Sequence, residues 1–187
     1  MQQPLIEADT FDRHYGIGWS ILQRPAGTSI GHGGAWGGHR ANLIMYPYHN
    51  YAHAALGNSS VSGYAEASLE KWVLSNDLHI QNPEPNAIDL SPIDLNAHVG
   101  RYSRHDSRFE ISVHGAGLRM LVTDIDEDTG KESEEPRLFD LEPLAVDRFR
   151  VTSAESKGAT VDFRKVPDSH GNPRDLVRIW GRVAARL

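Results

Sequence analysis

The chain has 187 residues, of which 39% are hydrophobic and 24% charged, a mixture typical of a folded domain with its own core. Lys and Arg number 19 against 25 Asp and Glu, and the formal net charge of −6 argues against a nucleic-acid partner, because phosphate-backbone binders carry a basic patch. No apolar run reaches the ~20 residues that span a bilayer, so we expect no membrane partner. The absence of cysteine excludes disulfides and thiolate chemistry.

The N-terminal sequence MQQPLIEADTFDRHYG lacks the basic start and apolar stretch of a signal peptide. The sequence leaves the localisation open between the cytoplasm and a processed periplasmic or secreted form. A chain without cysteine is compatible with each compartment.

Short apolar runs separated by Gly, Pro and Asn dominate the first part of the chain and predict strands joined by tight turns. After them, apolar residues at helical spacing, from Val61 to Val73, predict a helix over residues 63–78. We expect the first strands near Gly16–Leu22, Ile30–Trp36, Arg40–Tyr46 and Tyr51–Gly57.

A polar stretch with Pro83, Pro85 and Pro92 follows the helix and predicts a linker over residues 83–92. Beyond it the pattern is β throughout, as in the alternation of Phe109, Ile111 and Val113 before a glycine turn. About six or seven short strands in ~95 residues predict a small antiparallel sandwich or barrel-like sheet.

Several motifs occur in order between Tyr15 and Trp72: GIGW, GHGGAWGG, a strand that ends at Pro47, LGN at residues 56–58, and a helix containing Trp72. This order resembles the C-terminal half of the serine β-lactamase and penicillin-binding-protein superfamily, in the branch of class C β-lactamases, esterases and D-aminopeptidases. The segment Asp94–Tyr102 resembles the start of the lipocalin-like domain that follows some of these hydrolases.

The resemblance implies an α+β fold with three parts. Residues 1–82 would form the C-terminal part of a β-lactamase-like domain, with an incomplete antiparallel sheet and a covering C-terminal helix. Residues 83–92 would form the linker, and residues 93–187 a small β sandwich or barrel-like, lipocalin-like domain.

The family's Ser-x-x-Lys nucleophile motif and Tyr-x-Asn motif have no counterpart before His32, which only 31 residues precede. We therefore expect a C-terminal fragment or truncated relative that is inactive alone. The segment Ser68-Leu69-Glu70-Lys71 matches the Ser-x-x-Lys motif, but Lys71 falls on the helix face opposite the apolar stripe. We interpret it as a coincidence on an exposed face.

The resemblance assigns the site to the strand that contains His32-Gly33-Gly34. In the family, the residue after this triplet, here Ala35, donates an N–H to the oxyanion of acyl transfer, and His32 would hold or polarise substrate. Gly33 and Gly34 would let substrate approach the backbone. The expected substrate-binding residues are Gly33, Gly34, Trp36, His39 and Arg40, where Arg40 would hold a carboxylate.

Two metal hypotheses are weaker than their alternatives, and we expect no metal and no cofactor. His49 and His53 have a spacing that would share one face of a strand, but no carboxylate accompanies them. Asp124, Asp126, Asp128 and Glu135 match positions of a calcium loop that lacks its glycine. Such a run of acidic residues is more often an exposed, solvated hairpin loop, which is the interpretation that we adopt.

The predicted function is thus part of a serine hydrolase acting on an ester, a β-lactam or a D-amino-acid amide. The alternative is a non-catalytic module whose β domain binds a small apolar ligand or a partner protein, with Phe109, Ile111, Val113, Leu118, Met120 and Val122 lining its interior. Expected partners are a small-molecule substrate or ligand and either the N-terminal half of the hydrolase or a second copy, paired through the Ile30–Trp36 edge.

Overall fold

The computed structural model describes residues 1–7, 13–24, 27–59, 61–81, 85–153, 156–179 and 181–187. The internal contacts divide the chain into two compact units, Met1–Glu84 and Pro85–Leu187, which we call unit 1 and unit 2. No helix within the described ranges is both long and apolar enough to cross a membrane.

Unit 1 is built on a six-stranded antiparallel sheet in which each strand pairs with the next along the chain. Short loops explain this order, because a hairpin connection places consecutive strands side by side. The strands are β1 (Ile6–Glu7), β2 (Arg13–Tyr15), β3 (Ser20–Arg24), β4 (Gly27–Trp36), β5 (His39–Tyr46) and β6 (Tyr51–Gly57).

The β4–β5 hairpin closes through the two-residue loop Gly37-Gly38, with φ angles of 54° and 81°. Positive φ at both positions is the type I′ turn, which matches the twist of the flanking strands and favours glycine. A 3-10 turn at Pro47–His49 joins β5 to β6.

One face of the unit 1 sheet packs against helix α1 (Ser62–Trp72) and the π-helical turn Val73–Asp77 that continues it. We call this side the helix face. Val73 and Leu74 are buried there against Tyr46, and the side chains of Arg40 and Glu66 join β5 to α1. Alternate residues of β4, β5 and β6 point to the opposite side, the open face.

Unit 2 is a closed barrel of eight antiparallel strands. Helix α2 (Pro92–Ala97) precedes the barrel, and Ser91 caps it by accepting a hydrogen bond from the Asp94 N–H at 3.2 Å. The strands are β7 (Gly100–Arg104), β8 (Ser107–His114), β9 (Gly117–Asp124), β10 (Arg137–Ala145), β11 (Arg148–Val151), β12 (Thr160–Pro167), β13 (Pro173–Ile179) and β14 (Arg182–Arg186).

The barrel closes where β14 pairs with β7, through Ala185 opposite Ser103 and Arg186 opposite Tyr102. Inward-facing side chains from every strand form one core. Phe109, Phe139 and Phe149 are each 0% exposed, which leaves no water-sized space beside them. The inside of the barrel is therefore a packed core.

The α+β class expected from the sequence is wrong, because the chain is mainly β. In the described residues its helices are α1, α2 and the short turns at 47–49 and 73–77, and the second part is a closed barrel. The predicted class followed the family resemblance rather than the strand pattern, and barrel closure depends on a β7–β14 contact between distant segments. The individual strands predicted at Arg40–Tyr46 and Tyr51–Gly57 agree with β5 and β6 within one residue.

Candidate functional site

The C-terminal end of β4 has an open hydrogen-bonding edge. β3 begins at Ser20, opposite Gly31, so residues 32–36 of β4 pair with β5 alone. Trp36 and His39 close the two-residue loop and therefore bond each other.

Along an antiparallel strand, the backbone N–H and C=O groups of successive residues point alternately toward the partner strand and away from it. His32 and Gly34 consequently direct their backbone groups to β5, whereas Gly33 and Ala35 direct theirs away from it. No backbone hydrogen bond to Gly33 or Ala35 on that side is present among the described residues. Within the described residues, two N–H and two C=O groups on this edge therefore have no backbone partner.

A cleft of about 320 Å³ lies along this part of the sheet, mostly on the helix face. The register explains its composition, because Tyr15, Ser20 and Gly31 are cross-strand neighbours and Gly31 is opposite Ile44. Its lining residues are Arg13, Tyr15, Ser20, Leu22, Ser29, Gly31, His32, Gly33, Asn42, Ile44 and Glu70. Polar groups of both charge signs therefore surround a space large enough for an amino-acid-sized ligand.

The site residues named from the sequence fall into two groups. Six of them are exposed at the end of the β4–β5 hairpin, namely His32, Gly33, Gly34, Ala35, Trp36 and His39. The side chains of His32 and Trp36 belong to the open face by alternation, opposite the cleft side of Gly33 and Ala35. The structure brings His32 and Gly33 to the cleft, and Trp36 and His39 do not line it.

Arg40, which the sequence assigned to substrate binding, pairs with Glu66 in the structure. Its Nε donates to Glu66 Oε1 at 3.3 Å and its Nη2 to Glu66 Oε2 at 3.2 Å. The Glu66 side chain is 10% exposed and that of Arg40 35%. The guanidinium fork therefore holds α1 against the sheet.

Two titrating groups on the helix face have shifted pKa values. Burial lowers the pKa of His53, although the nearby charge of Glu70 partly opposes this. The pKa of Tyr51 is raised, first by its hydrogen bond to Asp77, at 2.5 Å. At neutral pH a neutral His53 is therefore favoured on the helix face, where its ring stacks on Tyr46.

No protein-family profile and no curated protein matches the chain. Solved structures do match it. A structure titled as SurE with D-Leu is 22% identical with a TM-score of 0.60, and a structure titled as SurE is 23% identical with a TM-score of 0.61. Both matches cover all of this chain, but they cover only 42% of the SurE chain with D-Leu and 41% of the other SurE chain.

A third match is an octameric penicillin-binding protein homologue from Pyrococcus abyssi, 20% identical over 40% of that chain. Its TM-score of 0.41 is too low to support an argument. At these identities the SurE matches establish a shared fold. The chain therefore spans about two fifths of the solved structures whose fold it shares.

These findings correct the recognition made from the sequence. The two matching structures with TM-scores of 0.60 and 0.61 carry the name SurE, not β-lactamase, esterase or D-aminopeptidase. The labels serine hydrolase, β-lactamase-like, penicillin-binding-protein-like, esterase and D-aminopeptidase are accordingly unsupported. The recognition depended on short glycine-rich motifs. Tight hairpins such as that at Gly37-Gly38 require glycine for conformational reasons, so glycine-rich sequences also occur in unrelated proteins.

The Ser68-x-x-Lys71 motif lies on the exposed surface of α1. The Ser68 Oγ donates to the Tyr64 carbonyl one turn earlier, at 2.8 Å, a common arrangement for serine within a helix. Neither residue lines the cleft.

The lipocalin-like ligand cup expected of the second domain is also corrected. Phe109, Ile111, Leu118, Met120 and Val122 are 0–3% exposed and belong to the packed core, while Val113 is 41% exposed. A cavity of about 250 Å³ lies instead outside this core, beside His98, Tyr102 and Phe163. The His98 ring stacks on Phe163 with centroids 4.2 Å apart.

The residues of the two metal hypotheses do not converge. Asp126 accepts hydrogen bonds from Thr129 N and Oγ1, both at 2.7 Å, and Asp124 pairs with Arg137 at 2.8 Å. In the part of the chain that is described, neither the four acidic residues nor the His49–His53 pair belongs to a group of three potential ligands.

Such a group does occur at His105, Asp106 and Glu127, whose ligand atoms lie within 4.8 Å of one another. Asp106 is already paired with Arg104 and, at 2.7 Å, with Arg182. Burial raises the pKa of Asp106, but hydrogen bonds from Arg104 and Ser107 and the neighbouring positive charges outweigh burial, so its pKa is lowered. Two guanidinium groups compete with a cation at this position, so the group supports no metal site.

Most of the cleft, including Arg13, Asn42 and Glu70, was not predicted from the sequence. Strand register is the feature that could have located Arg13 and Asn42, because it places Arg13 opposite Leu22 and Asn42 opposite Gly33. The register at Asn42 follows from the two-residue loop Gly37-Gly38, so strand spacing combined with loop length would have placed Asn42 beside Gly33.

Proposed function

We propose that unit 1 recognises the carbonyl or carboxylate of a small amino-acid derivative at the open end of β4. In this proposal the strand edge stabilises the carbonyl oxygen during acyl transfer. The nucleophile comes from polypeptide outside this chain, and unit 1 supplies the hydrogen-bonding strand.

The observation that carries the proposal is the pair of outward-facing N–H groups on Gly33 and Ala35. Acyl transfer needs fixed N–H donors where negative charge develops on the carbonyl oxygen. A strand edge supplies such donors without any side chain, because its backbone is held by the β5 ladder on the other side.

The glycine at position 33 supports a ligand at this edge. Glycine in a strand interior weakens the strand and is typical of places where a ligand or another backbone approaches closely. A Cβ at Gly33 would lie 3.4 Å from the Ala41 carbonyl oxygen and 3.7 Å from Asn42 Oδ1, which are ordinary contacts. The packing of unit 1 therefore does not require glycine there.

The cleft beside this edge favours an amino-acid derivative as ligand. Arg13 and Glu70 place charges of both signs in its lining, while Leu22 and Ile44 offer apolar surface. One of the structures that share the fold is titled as containing D-Leu. D-leucine and N-acetyl-D-leucine are therefore the first probes.

The site residues predicted from the sequence differ in the roles that they have in this proposal. The Ala35 N–H donates to the carbonyl oxygen, and Gly33 bonds the extended backbone of the ligand. His32 borders the cleft, but its side chain belongs to the open face. Arg40 positions α1 through Glu66, and Trp36 and His39 lie outside the cleft.

An NMR titration of ¹⁵N-labelled chain tests the proposal. With each probe added to about 20 mM, which detects millimolar affinity, we expect the Gly33 and Ala35 amide signals to shift together. Ala35→Pro removes the outward N–H without touching the β5 ladder, and Ala35→Ser is the matched control that keeps it. The Ala35→Pro variant should lose the shift at Gly33, and Ala35→Ser should retain it.

The opposite results would overturn the proposal. Absence of shifts with both probes means that the edge does not recognise amino-acid derivatives. Equal shifts in the Ala35→Pro and Ala35→Ser variants mean that ligand binds without the Ala35 N–H.

A further inference from the structure

A histidine that the proposed function does not use lies where α1 meets the sheet of unit 1. His53 on β6 is opposite Ile44 of β5, and its side chain belongs to the helix face by alternation. Its ring lies beside two tyrosine rings, with centroids 6.1 Å from Tyr46 and 6.3 Å from Tyr51. The imidazole is therefore part of the sheet surface that α1 and its π-helical turn cover.

The same ring lies among the hydrogen bonds that join the helical segment to the sheet. The Tyr46 hydroxyl donates to Glu70 Oε1 at 3.5 Å, and the Tyr51 hydroxyl donates to Asp77 Oδ2 at 2.5 Å. From β5 the ring of His53 is thus faced by Tyr46, from β6 by Tyr51 and from α1 by Glu70, while Asp77 of the π-helical turn reaches it through Tyr51. The charge of the imidazole therefore acts directly on this interface.

The attachment of α1 to the sheet depends on few apolar side chains. Within Ser62–Trp72 the buried residue is Glu66, which pairs with Arg40, and the π-helical turn adds the buried Val73 and Leu74. Elements with few buried apolar contacts open at a low cost in free energy. A change of charge in this interface therefore affects α1 before it affects the rest of unit 1.

The structure offers no acceptor for a proton on one nitrogen of His53. Both ring nitrogens carry a proton in the imidazolium form, and Nδ1 is buried with no hydrogen-bond partner within the described ranges. A buried N–H without an acceptor costs free energy, and the cost is larger when the group is charged. Burial accordingly lowers the pKa of His53, although the charge of Glu70 partly opposes this.

We propose that His53 makes the attachment of α1 to the sheet sensitive to acid, so that α1 is held while the imidazole is neutral and is loosened when the imidazole gains a proton. The pKa of His53 in folded unit 1 is below the reference value of 6.5. Its stabilising contribution is therefore present above pH 6.5 and is lost as the pH falls from there through the folded pKa. Because Glu70 on α1 lines the cleft, loosening of α1 also alters the cleft wall.

Amide hydrogen exchange of the full chain at about pH 7.5 and 5.5 tests the proposal, because this interval contains the usual imidazole transition and lies above the usual carboxyl pKa values. The exchange rates are first corrected for their intrinsic dependence on pH. Protection of the α1 amides, residues 62–72, should then be lower at the acid pH, and it should fall further than protection of the β4 and β5 amides. The test needs no ligand, so its outcome is independent of the proposed function.

Two variants separate His53 from the other histidines. His53→Gln removes the titrating group, so protection of α1 in this variant should be equal at the two pH values. His39→Gln is the matched control, because it removes an exposed imidazole from the open face of the same sheet, and it should retain the loss of protection. An NMR titration of the assigned His53 ring signals needs no variant at that position. Its midpoint should be below 6.5, and Glu70→Gln should lower it further by removing the charge that favours the imidazolium.

Equal protection of α1 at the two pH values overturns the inference. A loss of protection that is as large in His53→Gln as in the unsubstituted chain also overturns it, because another group then carries the pH dependence. A His53 midpoint at or above 6.5 overturns it as well, since protonation would then not weaken folded unit 1.

Discussion

The ion pair between Arg40 and Glu66 offers a direct test of what holds α1 on the sheet. We consider Glu66→Gln, Arg40→Gln and the double variant. Glutamine keeps the helix propensity and approximate size of glutamate but removes its charge. The coupling energy of the cycle then reports the interaction between the two side chains.

The structure sets the expected magnitude. The two N–H···O contacts are 3.3 and 3.2 Å long, and unit charges ~3–4 Å apart attract by about 4–5 kcal/mol at an effective dielectric of about 20. Desolvation of Glu66, which is 10% exposed, offsets much of this. Hydrogen bonds to charged groups contribute ~1.5–3 kcal/mol, and the 35% exposure of Arg40 lowers the value further. We expect a coupling energy of about 1–2 kcal/mol.

Urea unfolding followed by tryptophan fluorescence measures this energy, because three of the four tryptophans, Trp19, Trp36 and Trp72, belong to unit 1. Each single variant should lower the free energy of unfolding by about 1–2 kcal/mol, and the double variant by little more than one single variant. A coupling energy below ~0.5 kcal/mol would refute the reasoning, because it is the value of an exposed surface pair. Arg40→Gln that abolished D-leucine binding at unchanged stability would show a ligand-binding role instead.

Other expected outcomes concern unit 2 and α1. Asp162 is 2% exposed, and its carboxylate lies between Arg148 and Arg178. Asp162→Ala should therefore lower the free energy of unfolding, measured by urea titration, by about 3–5 kcal/mol. A loss below ~1 kcal/mol contradicts this expectation. The lowered pKa of Asp106 stabilises the fold above the unfolded pKa of ~3.9, and this contribution disappears as pH falls through the folded pKa. Between about pH 5 and 3, the free energy of unfolding of the Asp106→Asn variant should therefore fall less than that of the unsubstituted chain. An equal fall in the two proteins contradicts the stabilising role assigned to Asp106. Hydrolysis of a p-nitrophenyl ester should not exceed buffer, and saturable turnover abolished by Ser68→Ala would show a working serine.

The sequence by itself determined the local elements. Gly37-Gly38 between two apolar runs required a tight hairpin, because positive φ at both loop positions is accessible to glycine at little cost. The alternation of Phe109, Ile111 and Val113 predicted a strand, and β8 contains all three residues. These features depend on neighbours along the chain, so a residue-level pattern contains them.

The helix shows where a local pattern was insufficient. Its apolar stripe predicted burial of Val61 and Trp72, yet these are 64% and 55% exposed. Glu66 is buried instead, because Arg40 on β5 compensates its charge. A hydrophobic stripe cannot report a partner 26 residues away.

The tertiary structure alone decided the fold class and the composition of the site. Closure of the barrel pairs β7 with β14, and the packed interior follows from that closure. The unpaired edge at Gly33 and Ala35 exists because β3 begins at Ser20, opposite Gly31, while β4 continues to Trp36. Both features depend on which strands meet and where each ends, and local propensity does not specify these long-range pairings.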